Sequence, residues 1–164
     1  MRRPLRLAAL ALAVSAVAAM PGAATAQTAD HDAAYAVVTG LFDGMRTRDT
    51  ASMRAAFAPG ASLQSVGPNG IRVDAIDAWI GSVASAPTGV VLDERLANPV
   101  VQVNGNLASV WVDYWFYASE RFSHCGVDAF VLAKLDGVWR ILSVADTRQR
   151  QGCPPAPPPA PARK

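Results

Sequence analysis

The sequence predicts an α+β domain in which a few helices cover one face of a strongly curved antiparallel sheet. Three observations carry this reading. The last third is an unbroken β-meander: LASVWVDYWFY at Leu107–Tyr117, FSHCGVDAFVLAKL at Phe122–Leu135 and VWRILSVADTRQRQGC at Val138–Cys153. Ahead of residue 60, apolar residues recur at helical rather than strand spacing. Between these blocks a hairpin signal, Gly67-Pro68-Asn69-Gly70, is followed by another helical pattern. Helices first and long strands afterwards is the order of a layered α+β domain, not of an alternating parallel-sheet one.

The ends frame this domain. Arg2, Arg3 and Arg6 precede an apolar run at Leu7–Ala19, and Pro21-Gly22 stand ahead of Ala24-Thr25-Ala26. That is the charge, hydrophobicity and small-residue order of an export signal, with cleavage after Ala26. The run spans about 13 residues against the roughly 20 a membrane-crossing helix needs, so an uncleaved anchor is the weaker alternative. Removing residues 1–26 takes away three of the 15 basic residues and none of the 13 acidic ones, turning the net charge from +2 to −1. No broad basic face remains to argue for nucleic acid. Six of the 12 prolines lie within residues 154–161. Such a stretch forms neither helix nor ladder and is expected as a disordered, polyproline-like tail, with a recognition role as the alternative. The organisation is therefore a signal peptide at 1–26, a domain at 27–153 and a Pro-rich tail at 154–164. Location is expected to be periplasmic or secreted.

Within the domain, Ala34, Val37, Val38, Leu41, Phe42 and Met45 give a helix over Asp30–Arg48. Gly40 and Gly44 share one face of it, each costing about 1 kcal/mol relative to Ala, which suggests a close approach by another backbone. Asp49 is a suitable N-cap for a second helix, Thr50–Phe57, ended by Pro59-Gly60. A short strand, Ser62–Val66, turns through Asn69-Gly70 to Ile71–Val73. Asp74 opens a third helix with Ile76, Trp79 or Ile80, and Val83 inward, and Pro87 follows it. Strands at Val90–Leu96 and Pro99–Val103, then a turn at Asn104-Gly105-Asn106, lead into the meander.

NPVVQVNGNLASVWVDYWFY, FSHCGVDAF and GVWRILSVADTR closing at Cys153 together resemble the nuclear transport factor 2-like superfamily, over Asp30–Arg148. The superfamily includes ketosteroid isomerase, scytalone dehydratase, limonene epoxide hydrolase and polyketide-cyclase families. The likeness is greatest to exported, uncharacterised members, some described as lumazine-binding. The resemblance implies a cone-shaped fold whose concave face meets three N-terminal helices and lines a pocket, and whose convex face often forms a homodimer. The ketosteroid isomerase pattern of a general-base Asp with Tyr and protonated Asp donors has no position-by-position match here, so no catalytic residue carries over.

The final hairpin can be indexed from its turn. With Asp136-Gly137 as a two-residue turn, one face carries His124, Asp128, Phe130 and Leu132 beside Trp139, Ile141, Ser143, Ala145 and Thr147. The other carries Cys125, Val127, Ala129 and Val131 beside Arg140, Leu142, Val144, Asp146 and Arg148. A single bulge would swap part of this assignment. Trp139 and Ile141 suit the concave side, which turns His124 and Asp128 into the pocket, about 13 Å apart along the strand. A carboxylate among Phe130, Ala129 and Val127 is a candidate acid or base; pairing with an arginine is the plainer role. For His124 the alternative is a structural hydrogen bond. Asp146 and Arg148 read as a rim ion pair or as an anion site. Only one of Asp113 and Tyr114 can face inward, and Tyr114 would offer a phenolic donor. Tyr35, Trp111, Tyr114, Phe130, Trp139 and Ile141 are candidate pocket lining, with packing or dimer contact as the alternative for the aromatics. Cys125 and Cys153 are expected to form a disulfide, since two free thiols would be unusual in an exported chain. No metal-ligand spacing, phosphate loop or nucleophile elbow occurs, and no cofactor is expected. These readings leave three functions: a binder of a small, largely apolar molecule; an isomerase, dehydratase or cyclase using Asp128 or His124; and a non-catalytic interaction module.

Overall fold

The computed structural model describes residues 21–159, with side chains from residue 27 onwards. The charged and apolar parts of the predicted leader and the last five residues of the tail lie outside the described residues. In chain order the elements are α1 (Pro21–Thr47), α2 (Thr50–Ala56), β1 (Phe57–Gly67), β2 (Gly70–Asp74), α3 (Ile76–Ala84), β3 (Leu92–Asn104), β4 (Leu107–Ala118), β5 (Arg121–Leu135) and β6 (Val138–Thr147). The strands form one curled, unclosed sheet in the order β2-β1-β6-β5-β4-β3. The meander is antiparallel as expected, but β1 runs parallel to β6, so the sheet is mixed. Among the described residues no helix is long and apolar enough to cross a membrane.

The helices fill the concave face. Ala34, Val38, Leu41, Phe42 and Met45 of α1, with Met53, Ile80 and Val83, bury against Val110, Val112, Phe130, Leu132, Ile141 and Val144 of the sheet. Phe42 meets Phe130 edge-on with ring centres 6.1 Å apart. Asp49 caps α2 as its sequence suggests, accepting from the Ser52 backbone N–H at 3.0 Å. The helix ends at Ala56, because Phe57 already pairs with Ile141 of β6. Asp74 does not open α3; it stays in β2, 2.9 Å from Arg72, and Ala75 precedes α3 without a side-chain cap. Of the two helical glycines only Gly44 is a close approach. A Cβ there would stand 2.6 Å from Ser52 Oγ, whereas one on Gly40 would meet nothing within 4 Å.

Three bulges bend the meander, each adding a residue to one strand and increasing the local twist. They lie between Ala97 and Val100, between Phe116 and Tyr117, and between Val131 and Leu132 in the β3–β4, β4–β5 and β5–β6 registers. Asp136 and Gly137 both adopt positive φ, 50° and 80°, the geometry of the expected two-residue turn. From that turn the predicted register holds through Leu132↔Ile141, then Val131 pairs with Ser143 and Leu142 is left over. The slip reverses the remaining face assignment of β6. Val144 and Asp146 join Asp128 on the concave side, and Asp146 stands directly opposite Asp128.

Cys125 and Cys153 form the expected disulfide, with Cα atoms 6.0 Å apart. It ties the chain end to β5, where Cys125 and Gln149 exchange backbone hydrogen bonds of 2.9 Å. The described part of the Pro-rich tail continues over the sheet instead of leaving it. Trp115 Nε1 donates to the Pro154 carbonyl at 2.8 Å, and Pro158 reaches the hollow lined by Tyr35, Arg46 and Leu96.

Candidate functional site

Strand alternation sends Glu94 on β3, Tyr114 and Phe116 on β4, His124 and Asp128 on β5 and Asp146 on β6 to the same concave face, toward α3. Together with Arg148, just beyond β6, they line the wide end of the fold. A cleft of about 400 Å³ opens there, walled by Met45, Trp79 and Val83 of the helices and by Arg72, Glu94, Tyr114, Phe116, His124, Asp146 and Arg148. Beneath it lies a chamber of about 40 Å³ lined by Asp128 together with Leu41, Phe42, Phe130 and Val144. The two spaces share Trp79, Glu94, Asp146 and Arg148. The site is therefore one tapering funnel, with aromatic side chains at its mouth and carboxyl groups at its floor.

Burial dominates the electrostatics of that floor. Asp128 and Asp146 are 4% and 6% exposed. Asp146 Oδ2 accepts from Arg148 Nε at 2.8 Å. Desolvation, opposed by a hydrogen bond with Glu94 and reinforced by the charge of Asp146, pushes the Asp128 carboxyl up to about 7. The Glu94 carboxyl is raised well above the usual range by desolvation and by the neighbouring Asp128 and Asp146. Asp128 therefore exchanges its proton close to pH 7, beside a Glu94 carboxyl that holds its own proton more tightly than usual. Such a coupled pair can give or take a proton at little cost, the property an acid–base group requires.

His124 has the opposite character. Desolvation, then the nearby Arg148, lowers it to about 4, so its imidazole is neutral at physiological pH. Its Nδ1 lies 3.0 Å from Ser123 Oγ, and its ring packs against Tyr114 and Phe116 at centroid distances of 5.6 and 5.1 Å. The Tyr114 hydroxyl donates to the Thr147 carbonyl at 2.8 Å, and burial followed by the Glu94 charge raises its pKa. That donor is committed to the backbone. Gly126 makes the arrangement possible, because a Cβ there would lie 1.8 Å from Thr147 O and 2.9 Å from Tyr114 Cε1. Among the described residues no three His, Cys, Asp or Glu side chains are grouped to hold a metal ion.

The family described as "Putative lumazine-binding" matches residues 29–145. The chain belongs to that family. Solved structures of nuclear transport factor 2-like proteins share its fold. One is a protein of unknown function from Shewanella baltica, 18% identical, covering 76% of this chain and 97% of its own, with a TM-score of 0.62. A second, also of unknown function, from Silicibacter pomeroyi, is 22% identical over 74% and 98% of the two chains, with a TM-score of 0.59. A third, a putative dehydratase from Streptomyces avermitilis, is 14% identical over 75% and 98%, with a TM-score of 0.59. At these identities the likeness is one of fold. Comparison with the curated proteins found no match.

In this family member the predicted site residues separate into three groups. Asp128, His124, Tyr114 and Phe130 all face the funnel. Trp139 and Ile141 are on the same face but lie in the closed core, outside both spaces. Tyr35 borders a separate hollow beside α1, and Trp111, 54% exposed, sits on the convex side, so neither lines the funnel. Asp146 and Arg148, expected on the opposite face from Asp128, belong beside it because of the Leu142 bulge. Glu94 and Arg72 are additions. Glu94 stands between Leu92 and Leu96 on one strand face, a carboxylate flanked at i±2 by inward leucines, and that alternation was the available signal.

Proposed function

We propose that the protein binds a small amphipathic molecule in the funnel. The observation that carries this reading is a cleft of about 400 Å³ that narrows from Trp79, Phe116 and His124 to a buried carboxyl floor. Volumes of this order suit small-molecule sites. The small, largely apolar ligand expected from sequence is refined to one with a flat apolar part and a polar end, since Glu94, Asp146 and Arg148 share the lining. A bicyclic, nitrogen-rich heteroaromatic of the kind the family description names is consistent with such walls. The proton-exchanging Asp128–Glu94 pair favours a second reading, in which the same site performs proton transfer on its ligand. The predicted leader and the disulfide support a periplasmic or secreted setting. On the convex face, Val100, Trp111 and Val131 are 55%, 54% and 37% exposed and support a homodimer through the sheet.

Denaturing mass spectrometry of protein purified from its native compartment tests the binding reading. A stoichiometric small molecule is expected from wild type and not from Ala78→Trp, which places an indole across the cleft from an exposed helix position. Retention of the same molecule by folded Ala78→Trp would place the site elsewhere.

A further inference from the structure

We propose that the funnel floor is a subsite for a protonated amino group, so that the ligand is an aromatic amine rather than a neutral or anionic aromatic. The inference rests on the funnel being the ligand site and adds the chemistry of its deep end. Its basis is a mismatch between the polar atoms present and the partners available to them. The hydrogen bond with Glu94 leaves Asp128 Oδ2 buried without a partner, and Asp146 Oδ1, on the far side of its carboxyl from Arg148, is buried without one as well. Both residues line the chamber of about 40 Å³, together with Glu94 and Arg148. Native proteins pair nearly all buried polar side-chain atoms, so two acceptors left open in one chamber mark a place for a donor.

Charge then selects the donor. A chamber of about 40 Å³ admits a small polar group such as an ammonium or amino nitrogen, so charge rather than size makes the selection. Three carboxyl groups face it against one guanidinium, and that guanidinium is already engaged with Asp146 Oδ2. An anion would meet Asp146 and Asp128 directly, while an ammonium can donate to both open oxygens. Of the remaining wall, Leu41, Phe42, Phe57, Leu63, Phe130 and Val144 carry no donor, and the Trp79 indole N–H is the one side-chain donor among them. Above the chamber, Trp79, Phe116 and His124 leave an aromatic-lined passage for the ring that carries the nitrogen.

Three probes of one shape separate the alternatives: 2-naphthylmethylamine, 2-naphthylmethanol and 2-naphthoate, titrated calorimetrically into the full-length protein at pH 7.5. The amine is expected to bind at least tenfold tighter than the alcohol, with the carboxylate weakest. Asp128→Asn, which keeps shape and removes charge, is expected to bring the amine to the level of the alcohol. Equal affinity for amine and alcohol, or a tenfold preference that survives Asp128→Asn, would overturn the inference. Ala78→Trp distinguishes the two readings. Loss of all three probes there, with no preference for the amine in wild type, defeats the amine assignment alone. Unchanged binding in Ala78→Trp, or binding of none of the probes to wild type, defeats the funnel reading as well.

Discussion

Replacing Gly126 by alanine adds a single methyl group at the tightest crossing in the sheet. The new Cβ would lie 1.8 Å from the Thr147 carbonyl oxygen, 2.8 Å from its carbon and 2.9 Å from Tyr114 Cε1. Two of those three atoms are backbone, so no side-chain rotation relieves the clash, and β5 must separate from the end of β6 by more than an ångström. The Tyr114–Thr147 hydrogen bond of 2.8 Å and the Val127 N–Thr147 Oγ1 bond of 3.1 Å are the first to go. Their loss contributes about 1 kcal/mol each, and overpacking adds roughly 1–3 kcal/mol. The expected destabilisation is therefore about 3–5 kcal/mol. In urea denaturation followed by tryptophan fluorescence, with a slope of about 2 kcal/mol/M, the midpoint falls by about 2 M. Gly40→Ala is the matched control, since its Cβ meets nothing. It is expected to stabilise by about 0.5–1 kcal/mol through helix propensity. A Gly126→Ala loss below about 0.5 kcal/mol would refute the crossing as described.

Two further perturbations address the floor and the clamp. The raised carboxyl of Asp128 binds its proton more tightly folded than unfolded, so its contribution is fully favourable below the unfolded value of 3.8 and is lost as pH rises toward 7. Stability is expected to decline between pH 4 and 8 and Asp128→Asn to flatten that decline; parallel pH profiles for the two proteins would contradict it. Cys153→Ser opens a loop of sequence separation 28. By chain entropy this removes about 3–4 kcal/mol. The same change frees the tail beyond Pro154, so Trp115 fluorescence is expected to shift toward that of a solvent-exposed indole.

The sheet was legible because its strands alternate cleanly and because Asp136-Gly137 fixes the hairpin register locally. The helices were legible from spacing and from the Asp49 cap. What escaped was non-local. The parallel pairing of β1 with β6 joins segments some 80 residues apart, and nothing in Ser62–Val66 announces it. The Leu142 bulge lies where β1 itself is irregular between Phe57 and Ser62. A β-branched, apolar run such as Ile141–Val144 gives no sign of which residue is left unpaired. That single residue decided whether Asp146 and Arg148 stood with Asp128 or behind it. Glu94 was hidden by a different ambiguity, because the bulge at Asn98-Pro99 divides one long strand into what reads as two. Alternation showed that only one of Asp113 and Tyr114 faces inward without choosing between them; it is Tyr114, yet its hydroxyl serves the backbone, which no sequence pattern reveals.

The central claim is that Glu94, half-buried, joins the buried Asp128 and Asp146 in one carboxyl floor in which Asp128 holds its proton near neutrality. Carbon-detected NMR of the side-chain carboxyl signals, assigned by single Glu94→Gln, Asp128→Asn and Asp146→Asn substitutions, follows each group through a pH titration. The account predicts a midpoint near 7 for Asp128 and one raised well above the ordinary carboxylate range for Glu94. Titration of both groups below about 5, in the ordinary carboxylate range, would contradict it.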